Sequence, residues 1–236
     1  MSKLRAYFFA APLIVLATIA MGTLSMFASL FDRTGNLPHR ISRLWSRMLI
    51  LASGIKVTVE GMENVVPGRG YVIASNHLSL MDTPLVLAHI PLQFRFLAKK
   101  GLYRIPFIGG HLKRSGHVAI PREDARGSLK AMAESARIIQ ERGVSALVFP
   151  EGGRSEGQLR DFKEGAAYIA IKAGVPIIPV AISGTREVLP MGSFTVCPGK
   201  VRLRIGDPIP TSGLTLHSRG DLTFRLRQRI LEMLGA

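Results

Sequence analysis

The sequence is poor in three kinds of residue, and each shortage excludes a class of protein. Its 236 residues include one cysteine, Cys197, which excludes a disulfide scaffold and suits a reducing compartment. Asp and Glu number 16 against 31 Lys and Arg, so the formal net charge is +15. Aromatic residues make up only 7% of the chain, and no nucleic-acid-binding motif accompanies the charge. We therefore expect no nucleic acid partner, and the lack of zinc-ligand spacing predicts no structural metal.

The remaining composition describes a basic and apolar globular chain. Hydrophobic residues account for 47% of the sequence, which is too high a fraction for a disordered protein. The length suits one domain of ordinary size better than two. A chain of this charge associates with anions, and the apolar content favours membranes or phosphorylated molecules as those partners.

An uncharged apolar run occupies residues 6–31. About 20 apolar residues span a bilayer as a helix, whereas the apolar part of a signal peptide has only about 7–15. The run therefore predicts a membrane anchor. Lys3 and Arg5 precede it and Arg33 and Arg40 follow it, so a re-entrant hairpin is also compatible with the charges. The positive-inside bias favours the larger downstream part on the cytoplasmic side, and we expect a bacterial inner membrane.

A second membrane signal follows directly after the run. Five apolar residues recur at helical spacing along one stripe: Ile41, Leu44, Trp45, Met48 and Leu49. Arg40, Arg43 and Arg47 lie off that stripe. This pattern is typical of a helix in the headgroup layer, and equally of a helix packed on the core of its own domain. We assign residues 1–53 to the membrane anchor and interfacial helix, and residues 54–236 to one further domain.

After residue 54, short apolar runs alternate with helical patterns. The runs predict strands at 55–60, 71–75, 94–98, 117–120, 144–149 and 176–182, and the patterns between them predict helices at 82–90, 100–112, 124–142 and 162–173. A further strand at 201–205 and a helix at 221–234 complete the chain. The alternation predicts an α/β fold with a mostly parallel central sheet flanked by helices.

The first candidate motif follows the strand at 71–75. Ligands bind at the carboxyl ends of strands in α/β sheets, so we expect His77 at the mouth of a site. Asp82 lies five residues on, at the predicted start of a helix. Its carboxylate could hold one imidazole N–H and raise the basicity of the other nitrogen. The pair by itself is a weak motif.

The second candidate motif, FPEGGRS, follows the strand at 144–149. Gly152 and Gly153 allow main-chain N–H groups to approach a ligand closely. Arg154 supplies a bidentate donor for phosphate. We expect Glu151 to orient either Arg154 or a hydroxyl group of a substrate.

Four blocks in order resemble the PlsC family of glycerolipid acyltransferases, over about residues 55–210. The blocks are NHLSLMD (76–82), similar to the family's NHx4D; GHVAIPR (116–122), with Arg122 at its basic position; FPEGGRS (149–155), similar to FPEGTRS; and VPIIPVAI (175–182). The stretch 96–109, which includes Lys99, is also typical of the family. Ala119 and Pro121 depart from the usual Phe and Asp, and Gly153 replaces a usual Thr.

The resemblance implies transfer of a fatty acyl group from acyl-CoA or acyl-carrier protein to a lysophospholipid hydroxyl, first of all that of 1-acyl-glycerol-3-phosphate, giving phosphatidic acid. It implies that His77, oriented by Asp82, acts as general base without a covalent intermediate. Lys99, Arg122 and Arg154 would bind the acceptor phosphate. The remaining implied site residues shape the site: Glu151, Gly152, Gly153 and Ser155. The expected partners are membrane lipids and the acyl donor, with no cofactor or metal.

Two other functions remain compatible with the sequence. Residues 153–157 match the G-x-S-x-G nucleophile elbow of serine esterases and lipases, with Ser155 as the nucleophile. His217 would then have to serve as the base, because the base follows the serine in that class. The positive charge alone would also suit a non-enzymatic module that binds a membrane surface. Another lysolipid as acceptor also remains open.

Overall fold

The computed structural model describes residue 8 and residues 11–105, 108–121, 124–193 and 195–235. Its strands are β1 (Lys56–Glu60), β2 (Val72–Ser75), β3 (Phe94–Lys99), β4 (Val118–Ile120), β5 (Ser145–Val148), β6 (Ile177–Ser183) and β7 (Lys200–Ile205). Its helices are α1 (Ala11–Phe31), α2 (Asn36–Ser53), α3 (Asp82–His89), α4 (Ile108–Arg114), α5 (Ala125–Arg142), α6 (Gly165–Ala173), α7 (Thr185–Val188) and α8 (Arg219–Leu234), with short 3-10 helices at Met62–Asn64, Lys100–Arg104 and Leu216–Ser218.

The strands form one sheet in the order β1-β7-β6-β2-β5-β3-β4. Neighbouring strands run parallel except β6 and β7, which are antiparallel. The predicted α/β fold with a mostly parallel sheet and flanking helices is confirmed. β2 lies at the centre between β5 and β6, so the loops that follow these three strands meet at one edge of the sheet.

Helices cover both faces of the sheet because the central strands are apolar on both sides. Ile73 of β2 packs into a core cluster with residues of α2 and α3, among them Leu49 and Leu85. Its neighbours Val72 and Ala74 pack into a second cluster, formed with α5, α6 and α8. The alternation of the two clusters along one strand is the period-2 geometry of a sheet.

One predicted helix was wrong. The described residues between 100 and 112 form a 3-10 helix, Lys100–Arg104, and the beginning of a separate helix, α4. Ile105 is extended, with φ −78° and ψ 124°. Residue 106 is a proline in the sequence, and a residue before proline is disfavoured in the α region. The helical pattern therefore spans a position at which a continuous helix is unfavourable.

Helix α1 is long and apolar enough to cross a membrane, and it is the one such helix in the described part of the chain. Its large side chains are mostly exposed, including Leu16, Ile19 and Phe27. Of the run predicted from residue 6, residues 6, 7, 9 and 10 lie outside the described residues, as do Lys3 and Arg5. The division of the chain at residues 53 and 54 stays a prediction.

The apolar stripe of helix α2 is partly buried against the core of the domain and partly exposed. Ile41 and Leu49 are buried, whereas Leu44 is 50% exposed on the same stripe. Trp45 packs against the core and donates its indole N–H to Thr18 Oγ1 of α1 at 3.0 Å. The stripe therefore packs partly on the domain and leaves part of its apolar surface open.

Buried polar contacts join the N-terminal helices to the sheet. His39 of α2 is 1% exposed, and its Nε2 accepts from the main-chain N–H of Phe94 at 3.4 Å. Arg95 of β3 donates to Thr34 O at 2.8 Å and to Asn36 Oδ1 at 2.9 Å. Burial, and then the positive charge of Arg95, lower the pKa of His39 to about 3. The ring is therefore neutral at physiological pH, as its acceptor role requires.

We expect the free energy of unfolding to fall as the pH is lowered from about 6.5 toward about 4.5. The folded pKa of His39 is about 3 and its ordinary value is 6.5, so the unfolded chain binds the additional proton in this window. The contribution of His39 is fully present above pH 6.5 and is lost as the pH falls toward the folded pKa. One such group contributes a slope of at most about 1.4 kcal/mol per pH unit.

Urea unfolding in detergent at several pH values measures this slope. His39→Gln should reduce the slope but not abolish it, because burial also lowers the pKa of His111 and His117. His217→Gln removes an exposed histidine and should leave the slope of the parent chain unchanged. Equal slopes for all three proteins would contradict the assignment.

Candidate active site

The loop after β2 begins with an asparagine that is bonded to the neighbouring strand. Asn76 is 1% exposed, and its Nδ2 donates to Ile182 O at 2.9 Å. Its Oδ1 accepts from Ile182 N–H at 2.8 Å. The side chain thus pairs with the main chain of β6 as another strand would. Sequence reasoning gave Asn76 no role, although it is the first residue of the block NHLSLMD.

His77 and Asp82 are brought together as their spacing suggests. Nδ1 of His77 lies 2.7 Å from Oδ2 of Asp82, the first residue of α3. The same carboxylate oxygen accepts from Leu78 N–H at 2.7 Å and from Ser79 N–H at 2.8 Å. Asp82 is completely buried, and the His77 side chain is 15% exposed.

This geometry defines the chemical state of the imidazole. A carboxylate only accepts hydrogen bonds, so the proton lies on Nδ1 of His77 and the lone pair on Nε2. Nε2 has no hydrogen-bond partner among the described residues. The ring of Phe149 stacks on the imidazole with centroids 4.0 Å apart. The arrangement therefore presents one basic nitrogen at a partly open surface.

Glu151 makes different contacts from those predicted. It is 3% exposed, and its Oε1 accepts from the main-chain N–H of His77 at 2.7 Å. Its Oε2 accepts from the main-chain N–H of Arg160 at 3.0 Å. No hydrogen bond or ion pair joins Glu151 to Arg154 in the described part of the chain, so the expectation that Glu151 orients Arg154 was wrong.

Ser155 lies beside His77 but not at its imidazole. Its main-chain N–H donates to His77 O at 2.8 Å, and its hydroxyl donates to the same oxygen at 3.4 Å. The side chain is buried, and no described imidazole is hydrogen-bonded to it. His217, the base that a nucleophilic Ser155 would need, is exposed. Ser155 therefore packs the site without an activating base.

The two glycines of the FPEGGRS loop lie close to cationic side chains. Gly152 has φ +74°, and a Cβ at this position would lie 3.1 Å from Lys163 Nζ. A Cβ at Gly153 would lie 3.7 Å from Arg160 Nη1. Glycine is therefore favoured at position 152 by the positive φ, which residues with a side chain rarely adopt.

Four basic residues around this loop have no acidic partner. In the described ranges, the side chains of Arg154, Arg160, Lys163 and Arg186 make no ion pair or hydrogen bond. Elsewhere acids pair with basic side chains, as Glu60 does with Arg204 at 2.8 Å. We name the four residues the basic cluster, and its electrostatics suit an anionic ligand. Sequence reasoning singled out Arg154 and missed the other three.

Of the two other predicted phosphate ligands, only Lys99 has a described position. Lys99 is exposed at the carboxyl end of β3, on the same edge of the sheet, and makes no polar contact with the other candidate residues described here. Arg122 lies outside the described residues. The structure therefore groups Arg154 with the loop after β5, leaves Lys99 at the same edge, and gives no position for Arg122.

A cavity of about 570 Å³ opens beside the site, between the sheet, α5 and α6. Its wall is mostly apolar and includes Leu97, Ile120, Leu129, Met132 and Phe149. Lys163 adds a positive charge to the lining, whereas Arg219 forms an ion pair with Glu164, which also lines the cavity. The Phe149 ring both lines the cavity and stacks on His77, so it separates the two. A volume of this size suits a small-molecule ligand or an apolar chain.

Comparisons with known proteins identify relatives of this chain. The family model described as Acyltransferase matches residues 56–183, more than half of the chain. The chain is 34% identical to a 1-acyl-sn-glycerol-3-phosphate acyltransferase of Chlamydomonas reinhardtii, over 89% of this chain and 64% of that protein. It is 33% identical to a chloroplastic protein of the same name from Arabidopsis thaliana, over 88% of this chain and 60% of that protein. The chain thus spans less than two thirds of either relative.

Two further relatives match over more of their length. The 1-acyl-sn-glycerol-3-phosphate acyltransferase alpha of Homo sapiens is 30% identical, over 81% of this chain and 68% of the human protein. The crystal structure of the 1-acyl-sn-glycerophosphate acyltransferase PlsC from Thermotoga maritima superimposes with a TM-score of 0.80 at 29% identity. That match covers 100% of this chain and 98% of the other.

Replacing the buried amide should destabilise the chain. Asn76→Ala leaves the N–H and C=O of Ile182 without their partners in a buried position. Each unpaired group costs about 1–3 kcal/mol, so for the two groups we expect a loss of about 2–6 kcal/mol in urea unfolding. Asn64→Ala removes a single half-buried bond, from Nδ2 to Ile205 O, and should cost about 1 kcal/mol. Equal losses would contradict the special role of Asn76.

Proposed function

The chain belongs to the acyltransferase family whose model it matches over residues 56–183, and on that premise we propose that it transfers a fatty acyl group from an acyl thioester to the hydroxyl of a lysophospholipid. The observation that carries the proposal is the bond from Nδ1 of His77 to Asp82 at 2.7 Å, which leaves Nε2 as a free base. The names of the relatives support 1-acyl-glycerol-3-phosphate as the acceptor and phosphatidic acid as the product.

The mechanism follows from the chemistry of the two reactants. An alcohol is a weak nucleophile at neutral pH, so Nε2 of His77 removes its proton as the oxygen attacks the thioester carbonyl. The C–O bond forms, the tetrahedral intermediate collapses, and the C–S bond breaks. The imidazolium then returns the proton to the departing thiolate. Asp82 holds the ring and stabilises its positive charge throughout.

This route uses no enzyme-bound acyl group and no metal or other cofactor. A thioester is already activated toward an alcohol, so one positioned base supplies the missing step. General-base catalysis of this kind contributes about 10²–10⁴-fold. The acyl donor, acyl-CoA or acyl-carrier protein, acts as a substrate. The positive charge of the chain suits the phosphates of either donor.

The basic cluster supports an acceptor that bears a phosphate. Arg154 has no carboxylate partner among the described residues, so a phosphate binds it without first displacing an acid. We propose Arg154 as the central phosphate ligand, with Lys99 and Arg122 as further ligands. Gly152 and Gly153 keep this side of the loop open to the headgroup.

The apolar features support substrates drawn from a membrane. We propose that the cavity beside Phe149 receives a fatty acyl chain, since its wall is mostly apolar. Exposed apolar side chains on α1 suit contact with lipid, whether the helix spans the bilayer or re-enters it. We further propose that the catalytic part lies on the cytoplasmic face of a bacterial inner membrane.

Two substitutions separate acyl transfer from serine hydrolysis. His77→Ala should lower acyl transfer by about 10²–10⁴-fold because the base is lost. Ser155→Ala should retain turnover within a few-fold, since its hydroxyl contacts only His77 O. An assay of purified enzyme with labelled acyl donor and lysophosphatidate measures both, and His217→Ala is the control. Turnover that depends on Ser155 and not on His77 would identify a hydrolase.

A panel of lysolipids tests the role of the basic cluster. Rates should be higher on a lysolipid with a phosphate than on one without. Arg154→Ala should raise the acceptor KM by about 10–100-fold with little change in kcat, because a charge-assisted hydrogen bond contributes about 1.5–3 kcal/mol. Arg202→Ala, which removes an exposed arginine near Glu60, is the matched control. Comparable rates with and without phosphate would contradict the assignment.

A further inference from the structure

We propose that Glu151 is a positioning residue for His77, acting through the main chain of the base and not through contact with substrate. The inference rests on the proposed function, because it assigns the role of Glu151 within that reaction. Its two carboxylate oxygens are both occupied, one by His77 N–H at 2.7 Å and one by Arg160 N–H at 3.0 Å. The side chain is 3% exposed, so little of it is accessible to a ligand.

The loop that contains Glu151 holds both polar groups of the His77 peptide backbone. The N–H of His77 donates to Glu151 Oε1, and its C=O accepts from Ser155 N–H at 2.8 Å. Phe149, from the same loop, stacks on the imidazole. Asp82 then determines the rotation of the ring through Nδ1. Glu151 therefore fixes the position of the His77 backbone, and Asp82 fixes the rotation of the imidazole ring.

Glu151 also connects the base to the basic cluster. Its second oxygen holds the main chain of Arg160, whose guanidinium lies 3.7 Å from the Cβ position of Gly153. One carboxylate thus relates the position of the proton acceptor to the position of the cations. A displacement of about 1 Å at a reacting group can cost about 10²-fold in rate.

Position 151 is occupied by a buried glutamate and not by the neutral glutamine of the same shape, and its hydrogen bonds explain why. No basic side chain forms an ion pair with Glu151 in the described part of the chain. A buried charge is costly unless hydrogen bonds satisfy it, and here two main-chain N–H groups do so. Glutamine has one acceptor oxygen, so its amide N–H₂ would face one of those donors.

The test compares Glu151→Gln with Glu156→Gln, an exposed acid on the same loop. For Glu151→Gln we expect kcat to fall by about 10–100-fold, with any rise in the KM for lysophosphatidate smaller than the fall in kcat. We also expect the Nδ1–H proton resonance of His77 in ¹⁵N-histidine-labelled protein to shift or broaden. The reason is that the displaced ring would form a longer or less linear hydrogen bond with Asp82. Glu156→Gln should match the parent in all three measurements.

Each other outcome overturns the inference. A rise in KM at unchanged kcat would show that Glu151 binds the acceptor, and kinetics and a resonance equal to the parent would show no positioning role. If Glu151→Gln does not fold, Glu151→Asp replaces it, since the shorter carboxylate keeps the charge but cannot reach both donors. The resonance is measured without turnover. A parent protein that transfers no acyl group would therefore reject the proposed function, while the resonance would still decide the role of Glu151.

Discussion

The hydrogen bond between Nδ1 of His77 and the buried carboxylate of Asp82 is the interaction on which the site depends. Asp82 is fully buried, and its charge is tolerated because one oxygen accepts from the imidazole and from the N–H groups of Leu78 and Ser79. All three donors belong to consecutive residues. The loop conformation, the imidazole tautomer and the ionised acid therefore stabilise one another, and none of them is independent of the others.

The sheet makes that arrangement possible by placing β2 between β5 and β6. Each neighbouring strand supplies one anchor for the loop after β2. Ile182 of β6 pairs with the side chain of Asn76, and the loop after β5 binds the backbone of His77 through Glu151 and Ser155. The anchors are directional hydrogen bonds in buried surroundings, so they specify one position of the base. The basic cluster beside them stays unpaired, which leaves its charge for a ligand.

The sequence predicted those features of the fold and the site that depend on residues close together in the chain. Short apolar runs, and for β7 an alternation of apolar and basic residues, located each described strand within two residues. The resemblance to the acyltransferase family is confirmed. The approach of His77 to Asp82 followed from a loop between a strand and a helix. The partners of Glu151 did not, because main-chain N–H groups carry no sequence signature. Lys163 and Arg186 look like solvated charges in the sequence, and only the fold places them beside Gly152 and Gly157 of the loop after β5.

The relation between the apolar helices and the site also rests on polar contacts. Ser25 of α1 lies 2.8 Å from Nδ1 of His111, and Arg95 binds the turn between α1 and α2 through Thr34 O. Apolar contacts depend weakly on direction, so they leave some freedom for one helix to slide along another. A hydrogen bond has a narrow range of distance and angle, so it is lost when its donor and acceptor move apart by about 1 Å. Burial lowers the pKa of His111, which favours the neutral form of its ring. The hydrogen bonds of Ser25 and Arg95 therefore hold the two N-terminal helices in a defined position relative to α4 and β3.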